Sequence, residues 1–258
     1  MLQRRVLYLP PSEPLRAADV HAAGLEFWPG QASFRGLLAQ PDGPARATVL
    51  VFHGNASSAL ARSYYAAALG RLGLRVILAE YPGYAGRPGT PTEAALIADG
   101  VATLARISED FAEPVIVWGE SLGAAVAAGV VAQATVPVQA AVLVTPWASL
   151  ARMVARTLPV VPAALVRRDR YDSTAYLAAF DGPIAVVIAG RDEVIPPDEG
   201  RRLYDALATR KRLWWFDEAS HNSWPAHPAA PWWNEVVSFV LEAPPARPAG
   251  SGTATDAP

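Results

Sequence analysis

A serine flanked by glycines is the residue of this sequence best placed to do chemistry. It lies in Gly119-Glu120-Ser121-Leu122-Gly123, a G-x-S-x-G pattern between an apolar run typical of a buried strand and an apolar run typical of a helix. A serine on such a sharp turn has a strained backbone, and the residues two before and two after it must be nearly free of side chain. Glycines occupy both positions. We therefore predict that Ser121 is a nucleophile held at a strand-to-helix turn.

A serine hydroxyl is a weak nucleophile near neutral pH, so it needs a base. The sequence has four histidines. His221 follows the predicted strand 212–216, at the edge where an open parallel sheet gathers its active-site loops. His227 lies deeper in a proline-rich loop and His21 lies upstream of the predicted sheet, so both are weaker candidates. We predict that His221 is the base.

The base needs an acid that fixes its tautomer and stabilises the imidazolium. Asp192 follows the predicted strand 184–189 and is the first choice. The chain order is then Ser121, Asp192, His221, which is one of three orders known for this group of side chains. Glu193 in the same loop and Asp217 after the last predicted strand are the alternative acids.

The reaction also needs two N–H donors for the oxyanion that forms during attack on a carbonyl. Backbone groups leave no side-chain signature, so position decides. Leu122 directly follows the serine, and Asn55 follows His53-Gly54 after the predicted strand 48–52. We predict that the backbone N–H groups of Leu122 and Asn55 form the oxyanion hole, with Ala56 as the alternative to Asn55, and we assign His53 to this loop and not to proton transfer.

The elements that must position these residues alternate from about residue 45 onwards. Short β-branched runs alternate with alanine-rich helical segments, which predicts a parallel sheet covered by helices on both faces. The predicted strands are 48–52, 74–79, 114–118, 140–144, 184–189 and 212–216. Upstream, 24–28 and 32–38 flank Pro29-Gly30 and predict an antiparallel hairpin. Thr90-Pro91-Thr92-Glu93 predicts a helix start with Thr90 as the cap.

The organisation along the chain is that of one domain, which we predict for residues 1–242 of the 258. About forty residues separate the fourth and fifth of the predicted strands, too many for one crossover helix. We therefore predict a helical insertion at about 146–180. Residues 243–258 are rich in proline, alanine and glycine and predict a disordered tail.

Composition excludes several classes of function. Lys and Arg number 22 against 24 Asp and Glu, a net charge of −2, so nothing favours a nucleic-acid or anionic-membrane partner. The absence of cysteine excludes disulfides, thiolate chemistry and cysteine-based metal sites. The first ten residues lack the apolar stretch of a signal peptide, and the uncharged stretch between Glu120 and Arg152 is interpreted as a buried helix and strand. We predict a cytoplasmic protein without a transmembrane segment.

Longer motifs resemble the α/β-hydrolase superfamily over roughly residues 7–241. They are Val49-Leu-Val-Phe-His-Gly-Asn-Ala, Tyr81-Pro-Gly-Tyr-Ala-Gly-Arg-Pro-Gly-Thr-Pro-Thr-Glu, Trp118-Gly-Glu-Ser-Leu-Gly, Thr145-Pro-Trp-Ala-Ser-Leu, Asp192-Glu-Val-Ile-Pro and Ser220-His-Asn. They look like the small-cap branch that contains bacterial esterase-like hydrolases and eukaryotic depalmitoylases and lysophospholipases. The resemblance implies an α/β-hydrolase fold, with a mostly parallel central sheet, helices on both faces and a small helical cap insertion.

The resemblance also implies an activity. Ser121 would attack the carbonyl of a small-molecule ester or thioester, His221 would carry the proton, Asp192 would orient it, and water would release the acyl group. No cofactor and no metal are implied. The sequence departs from the branch in two places: Ala85-Gly86-Arg87 replaces a frequent Gly-x-Ser, and the N-terminal membrane helix of many relatives is not seen.

Apolar side chains of the insertion and of two loops are candidates for the wall of an acyl pocket, and plain packing is the alternative for each. In the insertion they are Trp147, Met153, Leu158, Val160 and Val161, and on loops near the expected rim they are Tyr84 and Trp224. Four further tryptophans are interpreted as packing residues: Trp214, Trp215, Trp232 and Trp233.

Two rival functions remain open on the sequence. A peptidase-like enzyme would cleave amides with the same three side chains, although related peptidases usually bring a large N-terminal domain that is not found before residue 45. A ligand-binding protein on the same fold would not turn over its ligand, but such proteins usually have lost part of the catalytic group. The sequence therefore favours a serine esterase or thioesterase, and it indicates nothing about the oligomeric state.

Overall fold

The computed structural model describes residues 7–157 and 168–242. The strands are β1 (Glu26–Trp28), β2 (Gly36–Ala39), β3 (Ala47–Phe52), β4 (Leu74–Ala79), β5 (Val115–Glu120), β6 (Ala140–Val144), β7 (Ile184–Ala189) and β8 (Lys211–Phe216). The helices are α1 (Ala17–Ala22), α2 (Tyr64–Gly70), α3 (Glu93–Asp110), α4 (Leu122–Ala132), α5 (Leu150–Thr157), α6 (Ser173–Leu177), α7 (Pro197–Ala206) and α8 (Trp232–Leu241).

The strands form one eight-stranded sheet in the order β1-β2-β4-β3-β5-β6-β7-β8. The hairpin strands β1 and β2 pair with each other antiparallel, and β2 pairs antiparallel with β4. All other neighbours are parallel. Because parallel strands end at the same edge, the loops after β3, β5, β7 and β8 come together there. The sheet confirms the predicted α/β class with helices on both faces.

Hydrophobic patterning decides where the helices lie. The central strands β3, β5, β6 and β7 are buried at every residue, as continuous apolar runs in a parallel sheet require. One face carries a core that includes residues of α3, α4, α6 and α7, and the other carries residues of α1, α2 and α8. The uncharged stretch after Glu120 is the buried helix α4 followed by β6, as predicted.

Two local predictions were wrong. Helix α3 begins at Glu93 with Thr92, not Thr90, as its cap, and the Thr92 side chain accepts a bond from the Ala95 N–H at 3.0 Å. Trp215 is 41% exposed whereas Trp214 is buried. Successive strand residues point to opposite faces, so Trp214 enters the core that holds α8, whereas Trp215 on the edge strand β8 faces the other side of the sheet and stays partly in solvent.

The connection between β6 and β7 is the predicted insertion, and the structure describes its two ends. Helix α5 lies at its start and helix α6 near its end, and an antiparallel bridge joins Ser149, just before α5, to Asp172, just before α6. The middle of the insertion and the tail at 243–258 lie outside the described residues. No helix within the described ranges is long and apolar enough to cross a membrane. The domain limits and the cytoplasmic location stay predictions.

Candidate active site

Ser121 occupies the strained turn between β5 and α4. Its backbone has φ 56° and ψ −119°, a region that side chains other than hydrogen disfavour. A Cβ atom at Gly119 would clash with the backbone of Gly123, and one at Gly123 would clash with the carbonyl of Phe52. The two glycines therefore let the turn pack tightly against β3.

Three predicted side chains meet at this edge in one hydrogen-bonded row. The His221 Nε2 atom lies 3.1 Å from the Ser121 Oγ atom, and the His221 Nδ1 atom lies 2.7 Å from Asp192 Oδ2. The His221 side chain is 10% exposed and that of Asp192 is 2% exposed. With Nδ1–H donating to the carboxylate, Nε2 is left as the acceptor that faces the serine hydroxyl.

The loop after β7 holds Asp192 in place. Its second oxygen, Oδ1, accepts bonds from the backbone N–H groups of Val194 at 2.9 Å and Ile195 at 2.8 Å. Glu193, the alternative acid in this loop, accepts a bond from the backbone N–H of His221 and not from its ring. Asp217 is exposed at the end of β8. The geometry therefore favours Asp192 over both rivals.

The other two candidate bases, His21 and His227, do not contact Ser121. His21 is exposed on α1. The Nδ1 atom of His227 accepts a bond from the Ala229 N–H at 3.2 Å within its own loop. Of the histidines considered as bases, only His221 reaches Ser121.

The loop after β3 lies against the nucleophile turn. A Cβ atom at Gly54 would stand 3.4 Å from the Ser121 Cβ atom, so the next residue, Asn55, lies in the neighbourhood of the serine. Leu122 is the first residue of α4, where a backbone N–H has no partner within the helix. Ala56 has φ 52°, which turns the backbone sharply after Asn55. The oxyanion-hole assignment to Asn55 and Leu122 stays a prediction.

A buried pair, His53 and Glu80, anchors this loop, and sequence reasoning did not find it. The His53 Nε2 atom lies 3.0 Å from Glu80 Oε1, and the Nδ1 atom lies 2.7 Å from the Gly54 carbonyl oxygen. Glu80 also accepts bonds from the backbone N–H groups of Ala59 and Tyr81. The available signal in the sequence was a charged residue directly after the apolar strand β4, which pairs with β3.

A second buried cluster lies behind the serine. Glu120, the residue before Ser121, accepts bonds from the guanidinium of Arg62 at 2.6–3.1 Å and from the hydroxyls of Tyr64 at 2.9 Å and Tyr65 at 3.3 Å. Burial raises the pKa of both phenols, so they remain protonated donors. The four side chains tie the end of β5 to the start of α2 and to Arg62 just before it.

Breaking this cluster should destabilise the fold. In Arg62→Met the Glu120 side chain, only 8% exposed, loses its cation, which should cost about 3 kcal/mol of unfolding free energy. Urea denaturation measures the loss. Arg201→Met is the matched control, because its ion pair with Asp205 is exposed and worth less than about 0.5 kcal/mol. Equal losses in both variants would contradict the expectation.

None of the three residues predicted to contact the substrate is exposed at the rim of the site. Tyr84 and Trp224 are buried, which corrects the expectation that both lie near the rim, because each loop folds its aromatic ring into the core. The Tyr84 hydroxyl donates to Asn55 Oδ1, and Trp224 packs among Tyr65 and the tryptophans of α8. Trp147 is buried with its Nε1–H donating to the Tyr171 carbonyl at 3.3 Å.

Of the other proposed wall residues, Met153 packs against the core from α5. Leu158, Val160 and Val161 fall outside the described residues. Among the residues at 7–157 and 168–242, no group of three or more His, Asp and Glu side chains could hold a metal ion.

Comparison with known proteins finds a matching family and related chains. Residues 43–170 match the family described as serine aminopeptidase, S33. The chain is 36% identical over 228 residues to the uncharacterized protein Rv2307c of Mycobacterium tuberculosis, covering 85% of this chain and 80% of that protein. It is 26% identical over 226 residues to the lysophosphatidylserine lipase ABHD12 of Danio rerio, covering 80% of this chain and 59% of that protein.

A solved structure has the same fold. The propionate-bound esterase Est2 of Thermogutta terrifontis superimposes with a TM-score of 0.67 at 17% identity, covering 88% of this chain and 97% of that chain. The sheet order, the strained serine turn and these relatives all point to the same superfamily. The chain belongs to the α/β-hydrolase superfamily.

Proposed function

We propose that this protein is a serine hydrolase that cleaves carboxylic ester or thioester bonds of an apolar acyl substrate. The observation that carries the proposal is the row of hydrogen bonds from Ser121 Oγ through His221 to Asp192, with the serine on a strained turn. A serine, a base and an orienting acid at these distances are the arrangement that nucleophilic catalysis requires.

In the proposed reaction Ser121 Oγ attacks the carbonyl carbon while His221 Nε2 takes the hydroxyl proton. The tetrahedral intermediate collapses when His221 returns that proton to the leaving alcohol or thiol, and an acyl-enzyme remains. Water then attacks the acyl carbon with His221 again as base, and the carboxylic acid leaves as Ser121 is reprotonated. Asp192 keeps the proton on Nδ1 and stabilises the imidazolium in each half of the cycle.

Backbone N–H groups of Leu122 and Asn55 would stabilise the oxyanion. Leu122 is the first residue of α4, so the partial positive charge of the helix start adds to its N–H dipole. One such donor is worth about 3–4 kcal/mol of barrier. No cofactor is needed for any step.

The substrate class rests on the relatives and on the chemistry of the described residues. ABHD12 is named as a lipase, and Est2 is an esterase solved with propionate, the kind of carboxylate that ester hydrolysis releases. In the insertion, Met153 and Val154 pack on the core as partly exposed apolar side chains. In this proposal these side chains contribute to the wall that receives an apolar acyl chain.

Amide cleavage is the second candidate, because the matched family is described as a serine aminopeptidase. The leaving group decides between the candidates. A panel of p-nitrophenyl esters, acyl thioesters and aminoacyl p-nitroanilides should show turnover of esters or thioesters and little of the anilides. Preferential anilide cleavage would replace the ester assignment by the peptidase one.

Covalent labelling tests the nucleophile without choosing a substrate. A fluorophosphonate phosphonylates a serine only where a base activates it, so wild-type protein should gain one adduct by intact mass, located on Ser121 by peptide mapping. Ser223, whose hydroxyl is hydrogen-bonded to Ser220, should remain unlabelled. A folded wild type without an adduct would remove the basis of the hydrolase proposal.

A further inference from the structure

The amide side chain of Asn55 joins three separate segments of the chain. Its Nδ2 group donates to the Leu7 carbonyl at 2.8 Å, and its Oδ1 atom accepts bonds from the Leu9 N–H at 2.9 Å and from the Tyr84 hydroxyl at 3.0 Å. A primary amide offers two donors and two lone pairs, so three of its four bonds are made within the protein. The side chain is thereby committed to structure rather than to substrate.

The loop that carries Asn55 has little regular structure of its own. Between the end of β3 and Ala59 it turns through Ala56, whose φ of 52° costs on the order of 1–3 kcal/mol unless neighbours enforce it. Its start is held by the Tyr81 hydroxyl, which donates to the His53 carbonyl at 2.7 Å, and its end by the Ala59 N–H on Glu80. Asn55 is the anchor between these two.

The N-terminal segment 7–9 reaches the loop through its backbone. Leu9 is 51% exposed, so packing of its side chain does little to hold the segment on the site. Tyr8 between the two bonded residues is buried, with its hydroxyl 2.9 Å from that of Tyr171 at the returning end of the insertion. Burial raises the pKa of the Tyr84 phenol, which therefore remains a donor to Asn55.

We propose that Asn55 is a positioning residue whose side-chain bonds set the direction of its own backbone N–H toward the oxyanion. Segment 7–9 makes two of those bonds and thereby takes part in forming the active site. The proposal rests on the proposed function. Gly54 lies against Ser121, so a small rotation of the loop moves the Asn55 N–H relative to the reacting carbonyl. A displacement near 1 Å can cost about 10²-fold in rate.

Side-chain variants isolate this role because the backbone N–H is present in all of them. Asn55→Ala removes three bonds, and Tyr84→Phe removes only the bond to Oδ1 and keeps the ring packed on His53. We expect kcat on the best ester of the panel to fall about 100-fold in Asn55→Ala and about threefold in Tyr84→Phe, with KM little changed. Asn234→Ala, an exposed asparagine on α8, is the matched control and should keep wild-type kcat.

A trifluoromethyl ketone separates positioning from a general structural effect. Its adduct with Ser121 carries an oxyanion, so its affinity should fall by the same factor as kcat, whereas affinity for the matching unreactive methyl ketone should not change. Urea denaturation checks that each variant is folded. Unchanged kcat in folded Asn55→Ala, or equal losses for both ketones, would overturn the proposal, and Tyr84→Phe decides in the same way if Asn55→Ala does not fold.

Amide hydrogen exchange tests the anchor independently of catalysis. The Leu9 N–H should exchange at least tenfold faster in Asn55→Ala than in wild type or Asn234→Ala, because its acceptor is gone. Equal Leu9 exchange overturns the proposal whatever the activity. A wild type that neither labels nor hydrolyses any ester defeats the proposed function, and in that protein faster Leu9 exchange still supports the anchoring of segment 7–9.

Discussion

Ser121→Ala is expected to lower kcat for the best ester by about 10⁶-fold, to the residual level that oxyanion donors and substrate binding alone provide. The alanine removes the attacking oxygen and leaves His221 and Asp192 in place. The helix start, the glycines of the turn and the buried strand β5 are unchanged, so the variant should fold. Initial rates under saturating substrate measure the loss, and circular dichroism verifies the fold.

Two results would contradict this expectation. A folded Ser121→Ala that retains more than about one hundredth of the wild-type kcat would mean that another group attacks the carbonyl, because loss of a true nucleophile costs far more. Fluorophosphonate labelling that persists in the variant would locate that group by mass. Ser220→Ala is the matched control, since this serine is one residue from His221 and bonds only within its own loop.

Asp192→Asn is expected to lower kcat by about 10⁴-fold. The carboxamide keeps its oxygen on the N–H groups of Val194 and Ile195, as Oδ1 of the aspartate does. Its NH₂ group then faces the Nδ1 atom of His221, which must accept the bond. The ring proton moves to Nε2, which points at Ser121 as a donor and cannot take the hydroxyl proton.

The control for this substitution distinguishes among the three acids considered. Asp217→Asn changes the same functional group at an exposed position and should leave kcat near that of wild type. Glu193→Gln should also cost much less than Asp192→Asn, because Glu193 bonds to the backbone of His221. A larger loss in either of these two variants would transfer the orienting role to that acid.

The sequence predicted most of the fold because the relevant signals are local. Continuous apolar runs predict buried parallel strands, and those at 74–79, 140–144 and 184–189 coincide with β4, β6 and β7. The other strands differ by one or two residues at their ends, except the second hairpin strand, which was predicted from residue 32 and begins at Gly36. Helix α3 shows the limit of this reasoning: Thr90 and Thr92 are both good caps, and only the path of the chain decides which one is used.

Tertiary packing decided the roles of the aromatic residues. Tyr84 and Trp224 lie on loops, where the sequence carries no periodicity from which burial can be read. Tyr84 turns inward to Asn55 and the ring of His53, and Trp224 enters the cluster of aromatic rings around Tyr65. Trp215 differs in the opposite sense, since it lies on an edge strand and points away from the core that holds Trp214.

The sequence by itself determined the residues that could react. The spacing of glycines around Ser121 requires the strained turn, and the strand ends place Asp192 and His221 at the same edge of a parallel sheet. It did not determine the partners that hold them. Glu80 lies 27 residues from His53, and Leu7 lies 48 residues from Asn55. Such bonds form between segments with no common local pattern, so only the folded chain decides which buried donor meets which acceptor.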